Sequence, residues 1–344
     1  MGGERAPAAV LEAASRVAVV NDDIRFNIFG NQTDLLPIIE QLHFPNDSYK
    51  FIATQSIVQD DDKPLHAYKN GQESSMRKAI DAVKDGSAHA CLSCGNTGAL
   101  MVTAKMVLGT LPGIKRPAIA GAFPTLKGKS IVLDMGANNE CSEKVIFQFA
   151  LMGRCLARVV MQIDDPSIGI LNIGEEKNKG RELEQNSYEL LASSGLNFVG
   201  YVEGHDIVNN KADVVVTDGF SGNLVLKASE GAVTMLLKIL KEDIPKKVGL
   251  RSKLGLYLLK PALKKELQVI DPNYNNGAMF VGLNGIVVKS HGSATAAGIE
   301  NAINLTYSLA KRDINTDIIK EMEILEDQGV GLNFVEKIKK TLGM

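Results

Sequence analysis

Short apolar runs, each closed by a polar loop, recur along the chain at 25–29, 89–92, 130–133, 168–172, 198–201, 214–217 and 286–289. Runs of four or five residues rich in Val, Ile and Leu read as buried strands. Between them, 34–42, 72–84, 99–108, 143–160, 182–193, 223–240 and 296–311 place apolar residues at helical spacing. Strands alternating with helices predict an α/β fold: a largely parallel sheet with helices on both faces. The polar stretch 46–64 reads as a connection, with one short strand at 50–53.

The length of 344 residues fits one large α/β unit with two lobes, divided as 1–126 plus 281–344 and 127–280, or two domains. At 45% hydrophobic and 23% charged residues, the chain has the composition of a globular protein. A net charge of −2 gives no basic excess for nucleic acid. Four cysteines, Cys91, Cys94, Cys141 and Cys155, form no zinc spacing and no disulfide framework, so a reducing cytoplasm is expected. The sequence shows neither a leader pattern nor an apolar run long enough to span a membrane.

The pattern changes at 244–269. There Lys246, Lys247, Arg251, Lys253, Lys260, Lys264 and Lys265 surround Leu250, Leu254, Leu256, Tyr257, Leu258, Leu259 and Leu263. A basic amphipathic helix can lie on an anionic membrane surface, and it can equally cover a core or a dimer interface. The same charge could receive an acidic protein, and Pro261 would interrupt a single continuous helix.

Five of the polar loops carry glycine: 93–98, 134–139, 172–176, 218–223 and 290–293. Loops at the carboxyl ends of parallel strands share one sheet edge, where glycine N–H groups and the amides and hydroxyls of Asn, Ser and Thr suit an anion. Asn96 and Thr97, placed before a helix, can cradle a phosphate or cap the helix. No GxxxxGK[ST] or GxGxxG pattern is present, which argues against a nucleotide or dinucleotide cofactor. A GxSxG elbow is also missing, and Cys94 reads as a small residue in a tight turn.

Taken as a set, Cys91-Leu-Ser-Cys-Gly-Asn-Thr-Gly-Ala99, Leu133-Asp-Met-Gly-Ala-Asn138, Gly169-Ile-Leu-Asn-Ile-Gly-Glu-Glu176 with Lys179-Gly180, Val202-Glu-Gly204, Asp218-Gly-Phe-Ser-Gly-Asn223 and Lys289-Ser-His-Gly292 resemble the motifs of the acyl-ACP:phosphate acyltransferase (PlsX) family. They stand in that family's order over most of the chain. The resemblance implies conversion of long-chain acyl-ACP and inorganic phosphate to acyl phosphate and ACP in bacterial phospholipid synthesis. It also implies an isocitrate dehydrogenase/phosphotransacetylase-like fold and a homodimer.

Phosphate is already anionic near neutral pH, so its attack on a thioester needs positioning and oxyanion stabilisation more than a covalent nucleophile. On this reading His291, Asn138 and Asn223 are the catalytic candidates. His291 would donate to the oxyanion or protonate the leaving thiolate, and the two asparagines would donate to phosphate or to the thioester oxygen. Ser93, Gly95, Asn96, Thr97, Gly98, Gly222 and Ser293 would hold phosphate, with Lys179 or Lys289 balancing its charge. No metal or cofactor is expected. The acids Asp134, Asp218, Glu175 and Glu176 would repel phosphate unless paired, so they are assigned to organising the loops.

The resemblance departs at the N-terminus. Family members usually begin with a short apolar strand leading into Asp-Ala-Met-Gly-Gly-Asp, whereas this chain starts Met1-Gly-Gly-Glu-Arg-Ala-Pro7. Loss of that strand is expected to expose its neighbours' edges, remove part of the cleft and leave the 1–7 loop unsupported, as from a misassigned start or an impaired protein. A phosphotransacetylase-like enzyme using acyl-CoA and a non-catalytic membrane scaffold are the competing readings.

Overall fold

The computed structural model describes residues 1–271 and 273–327. The end of the first expected lobe, 328–344, lies outside the described residues. The chain opens with α1 (Ala8–Val20), β1 (Phe26–Gly30), α2 (Gln32–Ile39), β2 (Tyr49–Ala53), α3 (Pro64–Asn70), α4 (Ser75–Lys84), β3 (Ala90–Ser93) and α5 (Thr97–Leu108). It continues through β4 (Ala118–Thr125), β5 (Gly128–Leu133), α6 (Glu143–Met161), β6 (Ile168–Leu171), α7 (Glu182–Ala192), β7 (Phe198–Val202), α8 (Gly204–Val208) and β8 (Val214–Val216). Last come α9 (Gly219–Lys238), a π-helical turn (Ile239–Asp243), α10 (Ile244–Lys247), α11 (Leu250–Gln268), β9 (Ala278–Val281), β10 (Ile286–Lys289), α12 (Ala296–Lys311) and α13 (Ile314–Asp327).

Eight strands form one sheet in the order β3-β10-β9-β4-β5-β8-β6-β7, and β1 with β2 forms a separate parallel pair. The α/β class stands, but the sheet is mixed. Antiparallel pairs β10/β9, β9/β4 and β4/β5 separate two parallel halves. Consequently β3 and β10 run opposite to β5, β8 and β6, and the loops after them leave from opposite edges. The expected single edge for all five loops is corrected here.

Two central strands escaped the sequence reading. β4, Ala-Ile-Ala-Gly-Ala-Phe-Pro-Thr, mixes small residues with a proline, and β9 has only four residues between Gly277 and Gly282. Burial decides both: Ala118, Ala120, Met279, Phe280 and Val281 are at most 1% exposed. α1 also went unread, although Leu11, Ala13, Ala14 and Val17 make a buried stripe. α9 begins four residues before its expected start, so Gly222 and Asn223 are its fourth and fifth residues. α6 fills one face of the sheet, burying Ile146, Phe149, Ala150 and Leu151, while α4 and α5 cover part of the other.

β1 and β3 are end strands of their sheets, and a cavity of about 660 Å³ lies between them. Phe26 and Ile28 of β1, Cys91 and Ser93 of β3, Met76 of α4 and Ile303 of α12 line it. Among the described residues β3 pairs only with β10 and β1 only with β2. The Met1–Pro7 loop is nevertheless seated: the Glu4 N–H donates to Gly292 O at 2.9 Å, and Gly2 lies so close to Gly95 that a Cβ there would come within 2.5 Å of its Cα. Among the described residues the slot offers two unpaired strand edges. A five-residue Val/Ile strand fused ahead of Met1 is therefore expected to raise Tm by about 2 °C or more. An unchanged Tm in a calorimetric scan would show that the two edges are not set to receive a strand.

Candidate active site

β5 ends at a carboxylate that is wholly buried. Asp134 Oδ1 accepts the N–H groups of Ile119, Gly136 and Ala137 at 3.0, 3.1 and 3.0 Å, and Oδ2 accepts Asn138 N and Nδ2 at 2.7 and 2.9 Å. Desolvation pushes its pKa up, and these hydrogen bonds work against that rise. The bonds curl the loop back on its strand. Gly136 makes the bend at φ +131°, a conformation that L side chains rarely adopt.

The start of α9 docks on this knot. A Cβ on Gly222 would sit 2.0 Å from Asp134 O, so only glycine permits the approach. The Gly219 N–H donates to Asn138 O at 2.7 Å. Asp218, 2% exposed, caps α9 by accepting Ser221 N at 2.7 Å and takes the Arg181 guanidinium at 2.5 Å. Arg181 also bonds Glu184, which raises its already high pKa further. Lys211 pairs with Glu175 and with Asp206. Of the acids that threatened to repel phosphate, Asp134, Asp218 and Glu175 are thus occupied within the scaffold. Arg181 and Lys211, missed in the sequence, do much of this, and the acidic loops that demanded a counter-charge were the available signal.

The second group forms where β3 and β10 end side by side. The Ser290 N–H donates to Ser93 O at 2.9 Å, and Lys289 Nζ donates to Cys94 O at 3.3 Å and to Ser290 O. Burial pushes the Lys289 pKa down. His291 Nδ1 lies 3.1 Å from Ser293 Oγ, and its Nε2 lies 3.7 Å from Glu230 of α9. Thr97, exposed, opens α5, whose first-turn N–H groups precede any intrahelical partner. Ser93 Oγ accepts the Gly95 N–H at 3.2 Å.

Ser93, Gly95, Asn96, Thr97, Gly98, Lys289, His291 and Ser293 therefore come together at one edge, and Asn138, Gly222 and Asn223 at the other. α9 joins the groups: Asn223 packs beside Gly136, and Glu230, two turns on, reaches His291. Three assignments need correction. The Asn96 amide donates to the carbonyls of Gln59, Asp60 and Asp62, and its Oδ1 caps Ala99, so the side chain organises the loop and cannot also cradle phosphate. Asn138 spends both amide protons on Pro117 O and Asp134 and is 7% exposed, which leaves it no donor for a thioester. Lys179 is exposed in the loop after β6, five strands from β10, and stands near Arg181 rather than Lys289.

Asn223 remains exposed at the start of α9. Among the described residues one acid–histidine group, Glu203, His205 and Asp206, brings ligand atoms within 4.8 Å of one another. Asp206 Oδ2 instead accepts the Glu203 N–H at the start of α8 at 3.1 Å, and Asp206 is paired with Lys211.

Residues 1–317 match the family described as "Fatty acid synthesis protein". The chain belongs to that family. It is 42% identical over 327 residues to the phosphate acyltransferase of Ehrlichia ruminantium, covering 94% of this chain and 95% of that protein. The phosphate acyltransferase of Parvibaculum lavamentivorans is 41% identical, over 94% and 90% of the two chains. Among solved structures, the EutD phosphotransacetylase of Staphylococcus aureus superposes with a TM-score of 0.56 at 13% identity, covering 88% of this chain and 91% of that one. A Streptococcus pyogenes phosphotransacetylase gives 0.55 at 17%, covering 89% and 92%. At such identities the likeness concerns the fold alone.

Removing Arg181 would strand the buried Asp218 carboxylate, although exposure of the guanidinium discounts the usual buried-pair cost. Arg181→Ala is expected to lose about 1–2 kcal/mol in urea unfolding. Unchanged stability would show that Asp218 finds its compensation elsewhere.

Proposed function

We propose that the chain moves the acyl group of a long-chain acyl-ACP onto inorganic phosphate, acting as a homodimer. A phosphate oxygen attacks the thioester carbon, the tetrahedral oxyanion collapses, the C–S bond breaks, and the ACP thiolate takes a proton from His291. The products are acyl phosphate and ACP thiol. One observation carries this reading: glycine N–H groups, Thr97, Ser293, Lys289 and His291 gather at the β3/β10 edge beside a thiol unsuited to attack. Cys94 is buried, and desolvation pushes its pKa up, away from the thiolate that nucleophilic catalysis requires. Asn223, carried on α9, supplies the remaining neutral donor.

The two relatives' printed names support phosphate as acyl acceptor. Acyl phosphate formation is expected with acyl-ACP and not with acyl-CoA; the reverse preference would make the protein phosphotransacetylase-like. His291→Ala and Asn223→Ala are each expected to lower turnover at least tenfold with the fold intact by circular dichroism. Near-normal turnover removes that residue from the mechanism.

The helical arm supports contact with an anionic lipid surface. Tyr257, Leu258 and Leu259 are 72%, 70% and 56% exposed, and Lys246, Lys247 and Lys260 are exposed beside them. No helix among the described residues is long and apolar enough to cross a membrane. Binding to anionic vesicles is expected to weaken in high salt and to be lost in the Leu258→Asp/Leu259→Asp variant. Co-sedimentation unchanged under both conditions would exclude insertion of this face.

A further inference from the structure

Asn276 stands just before β9, is 7% exposed, and commits both amide protons and its amide oxygen beside the end of β10. Its Nδ2 donates to Ser290 Oγ at 2.7 Å and to Gly298 O, in the first turn of α12, at 2.9 Å. Its Oδ1 accepts the His291 N–H at 2.9 Å. Ser290 is itself fully buried, and its N–H donates to Ser93 O at 2.9 Å, at the start of the loop that carries Gly95. One side chain thus touches the His291 turn directly and reaches the 93–98 loop through one residue, Ser290. Asn273 repeats the device one turn away: its Oδ1 accepts both Thr295 N and Thr295 Oγ1, and Thr295 caps α12.

We infer that Asn276 is a positioning residue that holds the His291–Ser293 turn in register with the Ser93–Gly98 loop, so that both converge on one phosphate. The inference rests on the proposed phosphate transfer. Asparagine fits the place because it offers two donors and an acceptor in a fixed plane, without charge. The Gly298 carbonyl and the Ser290 hydroxyl oxygen on one side require donors, and the His291 N–H on the other requires an acceptor. An aspartate of the same shape keeps the acceptor and loses the donors when ionised. When protonated it regains one donor.

The test varies phosphate at fixed acyl-ACP for Asn276→Ala and Asn276→Asp. Each is expected to lower kcat/KM for phosphate at least tenfold, with far-ultraviolet circular dichroism unchanged. Burial raises the pKa of a carboxyl at this position above its ordinary 3.9, so activity of Asn276→Asp relative to the wild type is expected to climb between pH 8 and pH 5. If Asn276→Ala fails to fold, the isosteric aspartate and its pH profile still decide the matter. Wild-type kcat/KM in Asn276→Asp, or a relative activity that stays flat with pH, overturns the inference. A normal His291→Ala enzyme together with a pH-rescued Asn276→Asp would remove His291 from the chemistry while keeping Asn276 as the brace of the 93–98 loop. In the double variant with His291→Ala, losses smaller than the product of the two single losses are expected.

Discussion

A carboxylate with no access to water must be answered by donors, and at Asp134 five hydrogen bonds from the surrounding N–H groups and one amide answer it. That requirement shapes the loop after β5, binds it to the first residue pair of β4, and sets the floor on which Gly219 and Gly222 bring α9 down. Leaving such a group unpaired costs several kcal/mol, so the knot is specified even though it contributes no apolar burial of its own. α9 then fixes where Asn223 and Glu230 stand relative to His291. The site inherits its geometry from a buried charge.

The same logic explains how these glycine loops tolerate so many acids. Asp134 is answered by N–H groups, Asp218 by Arg181 and the cap of α9, and Glu175 by Lys211. Each carboxylate is satisfied inside the scaffold, while Lys289 is held half-dry beside glycine-rich turns with its carbonyl partners. In such surroundings neutral donors act strongly, because the local dielectric is low and the donors need no reorganisation.

Much of this was legible in the chain. β3, β5, β6, β8 and β10 announced themselves as apolar runs cut by glycine loops, and the motifs of those loops identified the family that the comparisons show. β4 and β9 were not legible, because small residues, Pro124 and flanking glycines mask strands whose existence depends on burial from both sides. Missing them hid the reversal of direction across the sheet. Asn96 and Asn138 stand in the glycine loops, but their amides are spent on the protein itself: an asparagine at a turn has carbonyls and N–H groups within reach, and the sequence does not reveal which it chooses. Asn276, far from any glycine motif, gave no signal of its own.

The account stands on direct transfer, with no acyl group ever carried by the protein. Incubation with acyl-ACP and isotopically labelled free ACP in the absence of phosphate tests this most directly. Direct attack predicts that no label enters acyl-ACP and that acyl phosphate appears only once phosphate is added. Label exchanging into acyl-ACP without phosphate would reveal an acyl-enzyme and contradict the account.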